Sequence, residues 1–440
     1  MNELKWVVRL IVSSHLITLP AGRALAQDWS DITPSFGEAP TPRTLSSAVF
    51  DTQNRLMVIF GGQSASGPLN DVWAFDLDAH TWTNLTPASG AAPAPRFTPA
   101  SVYDAVRHQM LTWSGQGTGA MFFNDVWSFD LTTRVWSQQS PTGGPPNVRY
   151  GVAAVFDPVG RDLVTFAGFT NLGRFDDVWR FDADAVTWTD VSPITGPLER
   201  CLHTASYDSR NHRMIMYGGQ NAGPLGDIWA FDLTSNTWTD LTPATRPGGR
   251  FFTASVYDSA NHRVTIFGGT TSGGKTNETW GFDLTTNAWD QLTPGGTPPS
   301  ARDGSAGVYD GALDRMVIFG GQDGSRRNDV WALQNLSNVG ISEAPPEPSV
   351  TLHPNAPNPF NPSTEIVFDL NHSVHVTLRI YDARGRFVRT LLDGFRPSGP
   401  NAVTWDGRDD AGKPVSSGVY VCQLVSGGGS ATRKLVLISK

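Results

Sequence analysis

Apolar positions along this chain come in short runs that repeat. One unit reads clearly at residues 250–294: Arg250 opens FFTASVYD, a polar turn SANH follows, and Arg263 begins VTIFGG. A Gly-rich loop leads to NETWGFDL, and a second turn, TTN, leads to AWDQLTP. Four such runs, rich in aromatic and β-branched residues and parted by turn residues, predict four strands, here A to D in chain order. In VWAF (72–75), Trp73 and Phe75 point one way while Val72 and Ala74 point the other. MVIF (57–60) has no polar face at all. Sheets apolar on both sides need a neighbour on each, which a closed ring of stacked four-stranded blades provides.

The tryptophans count the blades. One series is Trp73, Trp127, Trp179, Trp229, Trp280 and Trp331, and the other is Trp29, Trp82, Trp136, Trp188, Trp238 and Trp289. Successive members differ by 50 to 54 residues on subtraction, the mark of one repeated unit. Six units carry strands A to C, but only five D strands follow their own C strand. The missing one stands at the other end, where Trp29-Ser-Asp-Ile-Thr-Pro34 copies Trp238-Thr-Asp-Leu-Thr-Pro243. The expectation is an all-β, six-bladed propeller closed by its N-terminal strand, with no open edge between first and last blades.

Glycine pairs end strand B at Gly61-Gly62, Gly218-Gly219, Gly268-Gly269 and Gly320-Gly321, while Ser114-Gly115 and Ala167-Gly168 depart. With the acidic residue, the aromatic residue and the later tryptophan that follow, this resembles the kelch repeat. The resemblance implies a kelch-type β-propeller, a family mostly used for binding.

Residues 1–26 have the pattern of an export signal: Lys5 and Arg9 beside short apolar stretches, then Ala24-Leu25-Ala26 before Gln27. The apolar stretch is too short and interrupted to span a membrane, so a soluble mature protein is expected. The propeller is assigned to 27–335. GISEAPPEPSV marks a linker, bounded at 336–350. Alternating runs at 351–440 predict a small β-sandwich. There, Asn358-Pro-Phe-Asn-Pro-Ser-Thr364, Ile380-Tyr381-Asp382, Trp405-Asp406-Gly407 and Ser417-Gly418-Val419-Tyr420 are similar to two related families. These are the Ig-like domain of the flagellar hook-capping protein and the C-terminal sorting domains of type IX-secreted proteins. The similarity implies export to the exterior or surface of a Gram-negative-type bacterium, through secretion machinery or by surface attachment.

The formal charge of −8, from 41 acidic and 33 basic side chains, comes with no basic run, so no nucleic-acid partner is expected. Cys201 and Cys422 fall in different predicted domains and are read as buried and free. Six arginines precede strand A: Arg43, Arg96, Arg149, Arg200, Arg250 and Arg302. Asp71, Asp125, Asp177, Asp227, Glu278 and Asp329 precede strand C. A and C start at the same end of an antiparallel blade, so both sets share one face of the ring. They form either an arginine ring for an anionic ligand or a charge-assisted lock repeated with the unit.

The B–C and D–A loops lie on that face, and the B–C loops differ from blade to blade. Phe122, Phe123, Arg174, Phe175, Lys275, Arg326 and Arg327 stand out in them as candidate contacts. On the opposite face, His212 and His262 are read as exposed turn residues. The kelch group includes a copper radical oxidase and a sialic acid epimerase. The copper site has no residue-by-residue match among His80, His108, His203, His212 and His262, and no catalytic dyad is recognisable. No metal, cofactor or catalytic residue is therefore expected. The expected function is non-enzymatic recognition of a protein or glycan by the loop face of a secreted or cell-surface protein. The alternatives are a secreted carbohydrate-active enzyme with its site at the channel mouth, or a structural surface repeat.

Overall fold

The computed structural model describes residues 27–336, 350–370, 374–397, 399–426 and 429–438. The expected export signal and most of the expected linker lie outside the described residues. Strand is the regular structure throughout them.

Six antiparallel sheets follow one another. The first blade is Ser47–Asp51, Leu56–Phe60, Val72–Asp76 and Thr81–Asn84, hydrogen-bonded in that order. The A strands are innermost, each packed against the A strands of both neighbours round the complete circle. The last blade has Ala306–Asp310, Arg315–Phe319 and Val330–Gln334, and its fourth strand is Asp28–Asp31. Trp29 lies opposite Leu333 and Asp31 opposite Trp331, antiparallel. The expected closure by the N-terminal strand is therefore present.

Each D-strand tryptophan packs on an aromatic residue of strand B in the preceding blade, the last of the strand in every blade but the third. Trp82 meets Phe319, Trp136 meets Phe60, Trp188 meets Trp113, Trp238 meets Phe166 and Trp289 meets Tyr217, all with ring centres 4.9–5.0 Å apart. Trp29 meets Phe267 at 4.9 Å, so the closing strand brings the sixth copy of the same contact. The buried clusters accordingly bridge blades. Val58, Phe60 and Val72 of blade 1 share theirs with Met110, Phe129 and Trp136 of blade 2.

The glycine pairs explain themselves at these joints. Gly62 has φ +100° and donates its N–H to the Arg96 carbonyl of the next blade at 2.9 Å. A Cβ on Gly61 would lie 2.6 Å from that same oxygen. Ser114 and Ala167 carry a side chain here, yet Gly115 and Gly168 still donate to Arg149 and Arg200.

Residues 350–438 form a three-stranded sheet (Val350–Leu352, Thr364–Leu370, Gly399–Trp405) and a four-stranded one (Val374–Asp382, Phe387–Arg396, Gly418–Ser426, Gly429–Leu437). Trp405 is central, with Phe360 and Tyr420 against it at 5.4 and 5.0 Å. The segment around Asn358 and Phe360 covers the edge of Gly429–Leu437. Phe360 N–H donates to Val436 O, and Ile438 N–H donates to Phe360 O.

Replacing Trp29 by alanine removes one inter-blade ring contact and the anchor of the closing strand. We expect a loss of about 3–5 kcal/mol, read as a lower urea midpoint. A variant as stable as the parent would show that the circle does not depend on this residue.

Candidate functional site

The loop face is built outward from the six arginines, which the fold places beneath the surface, each at most 3% exposed. Arg200 shows the pattern. Its Nη1 and Nη2 donate to the two carboxylate oxygens of Asp227 at 2.7 and 2.8 Å. Nη1 also donates to Gly218 O at 3.0 Å, and Nε to Leu198 O at 2.9 Å. The same forked pair joins Arg43 to Asp71, Arg96 to Asp125, Arg149 to Asp177 and Arg302 to Asp329. Arg250 reaches Glu278 through Nη2 alone. Each acid also accepts the indole N–H two residues on, as Trp229 donates to Asp227 Oδ2 at 2.8 Å, the oxygen that Arg200 Nη2 also reaches. Burial by itself would raise the Asp227 carboxyl. The hydrogen bonds and charge of Arg200, with Trp229, outweigh it and hold the group below the ordinary carboxylate range. The donors of this expected anion site are thus engaged within the chain, which is the geometry of a lock.

Two of the expected contact residues serve the same locks. The Arg96 guanidinium lies over the Phe123 ring at 4.1 Å, and that of Arg149 over Phe175 at 3.9 Å. Lys275 pairs with Asp303 at 3.3 Å, and Arg327 with Asp323 at 2.7 Å.

What varies is the residue directly after each arginine: Thr44, Phe97, Tyr150, Cys201, Phe251 and Asp303. In blades 2 and 3 this position carries an aromatic cluster. Phe122 stacks on Tyr150 with centres 5.6 Å apart, and Phe97 and Phe169 meet Tyr150 edge-on. Arg174 covers Phe169 at 5.4 Å, and its Nε donates to Gln220 O. Blade 3 also differs in backbone. Its B and C strands, Asp162–Thr170 and Gly173–Asp182, continue upward as a paired ribbon with a bulge between Phe166 and Gly168. Leu172 stands at the tip, 93% exposed. Arg326 lines a separate cleft of about 590 Å³ with Gln63, Phe97 and Gln116, between the loops of blades 1, 2 and 6.

Nearer the axis, six residues with positive φ form a closed ring of hydrogen bonds: Leu45, Thr98, Gly151, Leu202, Phe252 and Gly304. They line a cavity of about 130 Å³ together with His203. Burial, with Arg200 nearby, pushes His203 down to about 3, so it is neutral at ordinary pH. No group of three or more His, Cys, Asp or Glu side chains placed to hold a metal occurs among the described residues.

The opposite face corrects the sequence reading of His212 and His262. An aspartate ends every A strand (Asp51, Asp104, Asp157, Asp208, Asp258 and Asp310) and each is at most 1% exposed. Five of them meet a base from the next blade round the ring. His108 lies 3.0 Å from Asp51, Arg161 2.8 Å from Asp104 and His212 2.8 Å from Asp157. His262 lies 3.1 Å from Asp208, and Arg55 2.8 Å from Asp310. These histidines join blades: His262 is buried, at 7% exposure, and His212 is partly covered. The recurring aspartate after VF, VY or SY was the available signal.

The fold and site define a class: a six-bladed β-propeller with locked arginines and an uneven loop face, on a chain that also carries an Ig-like module. The chain belongs to the kelch-repeat family, since the KLHDC2/KLHL20/DRC7 Kelch-repeats domain matches residues 23–197 and 194–339. The FlgD Ig-like domain matches 356–430. Similar curated proteins include acyl-CoA-binding domain-containing protein 4 of Arabidopsis thaliana, 29% identical over 197 residues, 43% of this chain and 28% of that protein. Multiple epidermal growth factor-like domains protein 8 of Rattus norvegicus is 31% identical over 199 residues, 42% and 7% of the two chains. The leucine-zipper-like transcriptional regulator 1 homolog of Drosophila melanogaster is 27% identical over 195 residues, 42% and 19%. The chain thus spans less than a third of each relative's length.

Arg200→Ala leaves Asp227 without its fork and is expected to cost about 3 kcal/mol. Arg200→Lys recovers only part, because one ammonium cannot bridge both oxygens. Thermal unfolding of the two variants checks this, and an unperturbed alanine variant would return the arginine to the candidate ligand contacts. On the far face, burial would raise the Asp208 carboxyl, but hydrogen bonds from His262, Asn211 and Arg213 pull it well below its ordinary value. A depressed carboxyl stabilises the fold above its unfolded pKa and loses that contribution as pH falls. Urea midpoints should therefore drop below about pH 4, and Asp208→Asn should be weaker at pH 7 with a shallower acid limb. Parallel acid limbs would remove Asp208 from this account.

Proposed function

We propose that this kelch-repeat protein is an exported, non-enzymatic binding protein whose partner is a protein held on the loop face of blades 2 to 4. The observation that carries the reading is the blade 3 ribbon. It is a hydrogen-bonded, paired extension with an exposed leucine at its tip, standing beside four packed aromatic rings. An apolar tip with a pre-ordered aromatic base is the make-up of an interface anchor, because little conformational entropy remains to be lost on binding. The axial cavities, about 130 and 190 Å³, are smaller than ordinary small-molecule sites. That supports surface recognition over a reaction at the channel mouth.

A second reading, glycan binding, has its own support in the cleft that Phe97 lines together with Gln63 and Gln116, an aromatic ring and two amides. Export and surface attachment rest on the pattern of residues 1–26 and on the Ig-like module. A sorting role for that module is part of the same proposal.

The test uses the full chain and the double variant L172D/F122A as baits in crosslinking capture from source-cell protein fractions, with a glycan array in parallel. The double variant should keep the parent's melting temperature. It should lose about 10- to 100-fold in affinity for whatever the parent captures, the range set by loss of interface anchors. Undiminished capture would overturn the site. Array binding that is lost on Gln116→Ala but kept by L172D/F122A would favour the glycan reading.

A further inference from the structure

The B–C loop of blade 6 carries two arginines side by side and has an acid for only one of them. It reads Gln322-Asp-Gly-Ser-Arg-Arg-Asn328, and Asp323 is its single acid. Arg327 takes that carboxylate, with Nη2 2.7 Å and Nε 3.0 Å from Oδ2, and the Ser300 hydroxyl donates to the same oxygen. Arg326 is left with a buried Nε–H that has no partner. Its guanidinium makes no hydrogen bond or ion pair with any described residue. The other arginines of this face are engaged. Six form the locks, Arg174 donates to Gln220 O, and Arg246 donates to Pro243 O.

Arg326 lines the cleft of about 590 Å³ between the loops of blades 6, 1 and 2, and among the residues lining it no other is charged. The loops that make the remaining walls, QSASGPLN (63–70), TPASGAAPAP (86–95) and QGTGAMFFN (116–124), contain no charged residue. The lock acids of these three blades, Asp71, Asp125 and Asp329, each hold an arginine and an indole. A guanidinium partly withdrawn from water with no acid beside it is a site short of one anion, and its planar fork fits a pair of oxygens. The chain's formal charge of −8 shows that this positive spot is local and not part of a general basic character.

The rest of the lining indicates what carries the anion. Gln63, Gln116, Ser66 and Thr118 bring amides and hydroxyls, groups that both donate and accept and so match sugar hydroxyls. Phe97 adds an aromatic ring, with the Tyr150 ring edge-on to it. An extended peptide would want free backbone groups in the wall. Here Gln63 exchanges both backbone hydrogen bonds with Thr44, and Gln116 exchanges both with Phe97. We propose that this cleft is an anion-recognition site for an acidic polysaccharide, with Arg326 holding a carboxylate or sulfate and Phe97, Gln63 and Gln116 receiving the sugar that bears it. The sugar rests on the glycan reading given above, whereas the anion rests on Arg326.

The experiment titrates the full chain and the variants Arg326→Gln, Arg326→Lys and Arg246→Gln with four probes by calorimetry. Polygalacturonate supplies carboxylates, dextran sulfate supplies sulfates, neutral dextran supplies sugar alone, and polyglutamate supplies acid without sugar. The parent should bind polygalacturonate or dextran sulfate, whichever anion the site takes, more tightly than either of the other two. Arg326→Gln should keep the parent's melting temperature and weaken that binding about 10- to 100-fold, the range set by loss of charge-assisted hydrogen bonds. Arg326→Lys should retain part of the affinity as a point charge. Arg246→Gln makes the same change of net charge elsewhere on this face and should leave the affinity unchanged. Equal loss from Arg246→Gln, undiminished binding by Arg326→Gln, or polyglutamate as the tightest probe would each overturn the site. Neutral dextran bound as tightly as the acidic polymers would overturn the anion and keep the glycan reading, while no binding of any polysaccharide would overturn both.

Discussion

Everything in the propeller hangs from the arginine before each A strand. Its side chain fixes the start of strand A to the start of strand C within one blade, through a carboxylate that an indole N–H also holds. Its carbonyl accepts the N–H of the second glycine in the blade before. One residue therefore sets the geometry within a blade and between blades. The second glycine follows from this, because the backbone meets the carbonyl at a φ of +90° to +114°, a conformation that a residue with a Cβ rarely adopts. The tryptophan pattern follows as well. C-strand indoles hold the lock and D-strand indoles hold the neighbour.

That economy separates scaffold from recognition on the same face. The arginine is invariant across the six units, while the residue after it runs from threonine to phenylalanine, tyrosine, cysteine and aspartate. Because the lock fixes the backbone, the next side chain can change without disturbing the ring. The aromatic cluster of blades 2 and 3 and the Lys275–Asp303 pair of blades 5 and 6 are different uses of one structural position. The cation–π lids Phe123 and Phe175 sit between the two layers, covering the lock from the side where a partner would approach.

Blade number, strand order and the closing strand could be read from the sequence because each rests on a repeated large side chain. Trp29 has nowhere to bury its ring except against the blade that lacks a D strand. The far face was not legible in the same way. VYD followed by a polar turn has the composition of any hairpin, and what distinguishes Asp208 is a histidine 54 residues later in sequence and 3.1 Å away in space. Such a joint exists only once the ring is closed. The blade 3 ribbon was half visible. Ala167-Gly168 flagged a departure from the glycine pair, but not that the strands would run straight on.

The two faces also differ in how they tolerate change. On the loop face a substitution next to the arginine alters the surface and leaves the lock in place. On the aspartate face every acid is buried and bound to the next blade, so a single substitution alters a joint. A base there is interchangeable, arginine in two joints and histidine in three, because each presents N–H groups to the same carboxylate. At the sixth joint the buried Asp258 instead accepts the Tyr309 hydroxyl of blade 6 at 2.8 Å and two donors of Asn261, so neutral groups do there what a base does at the other five.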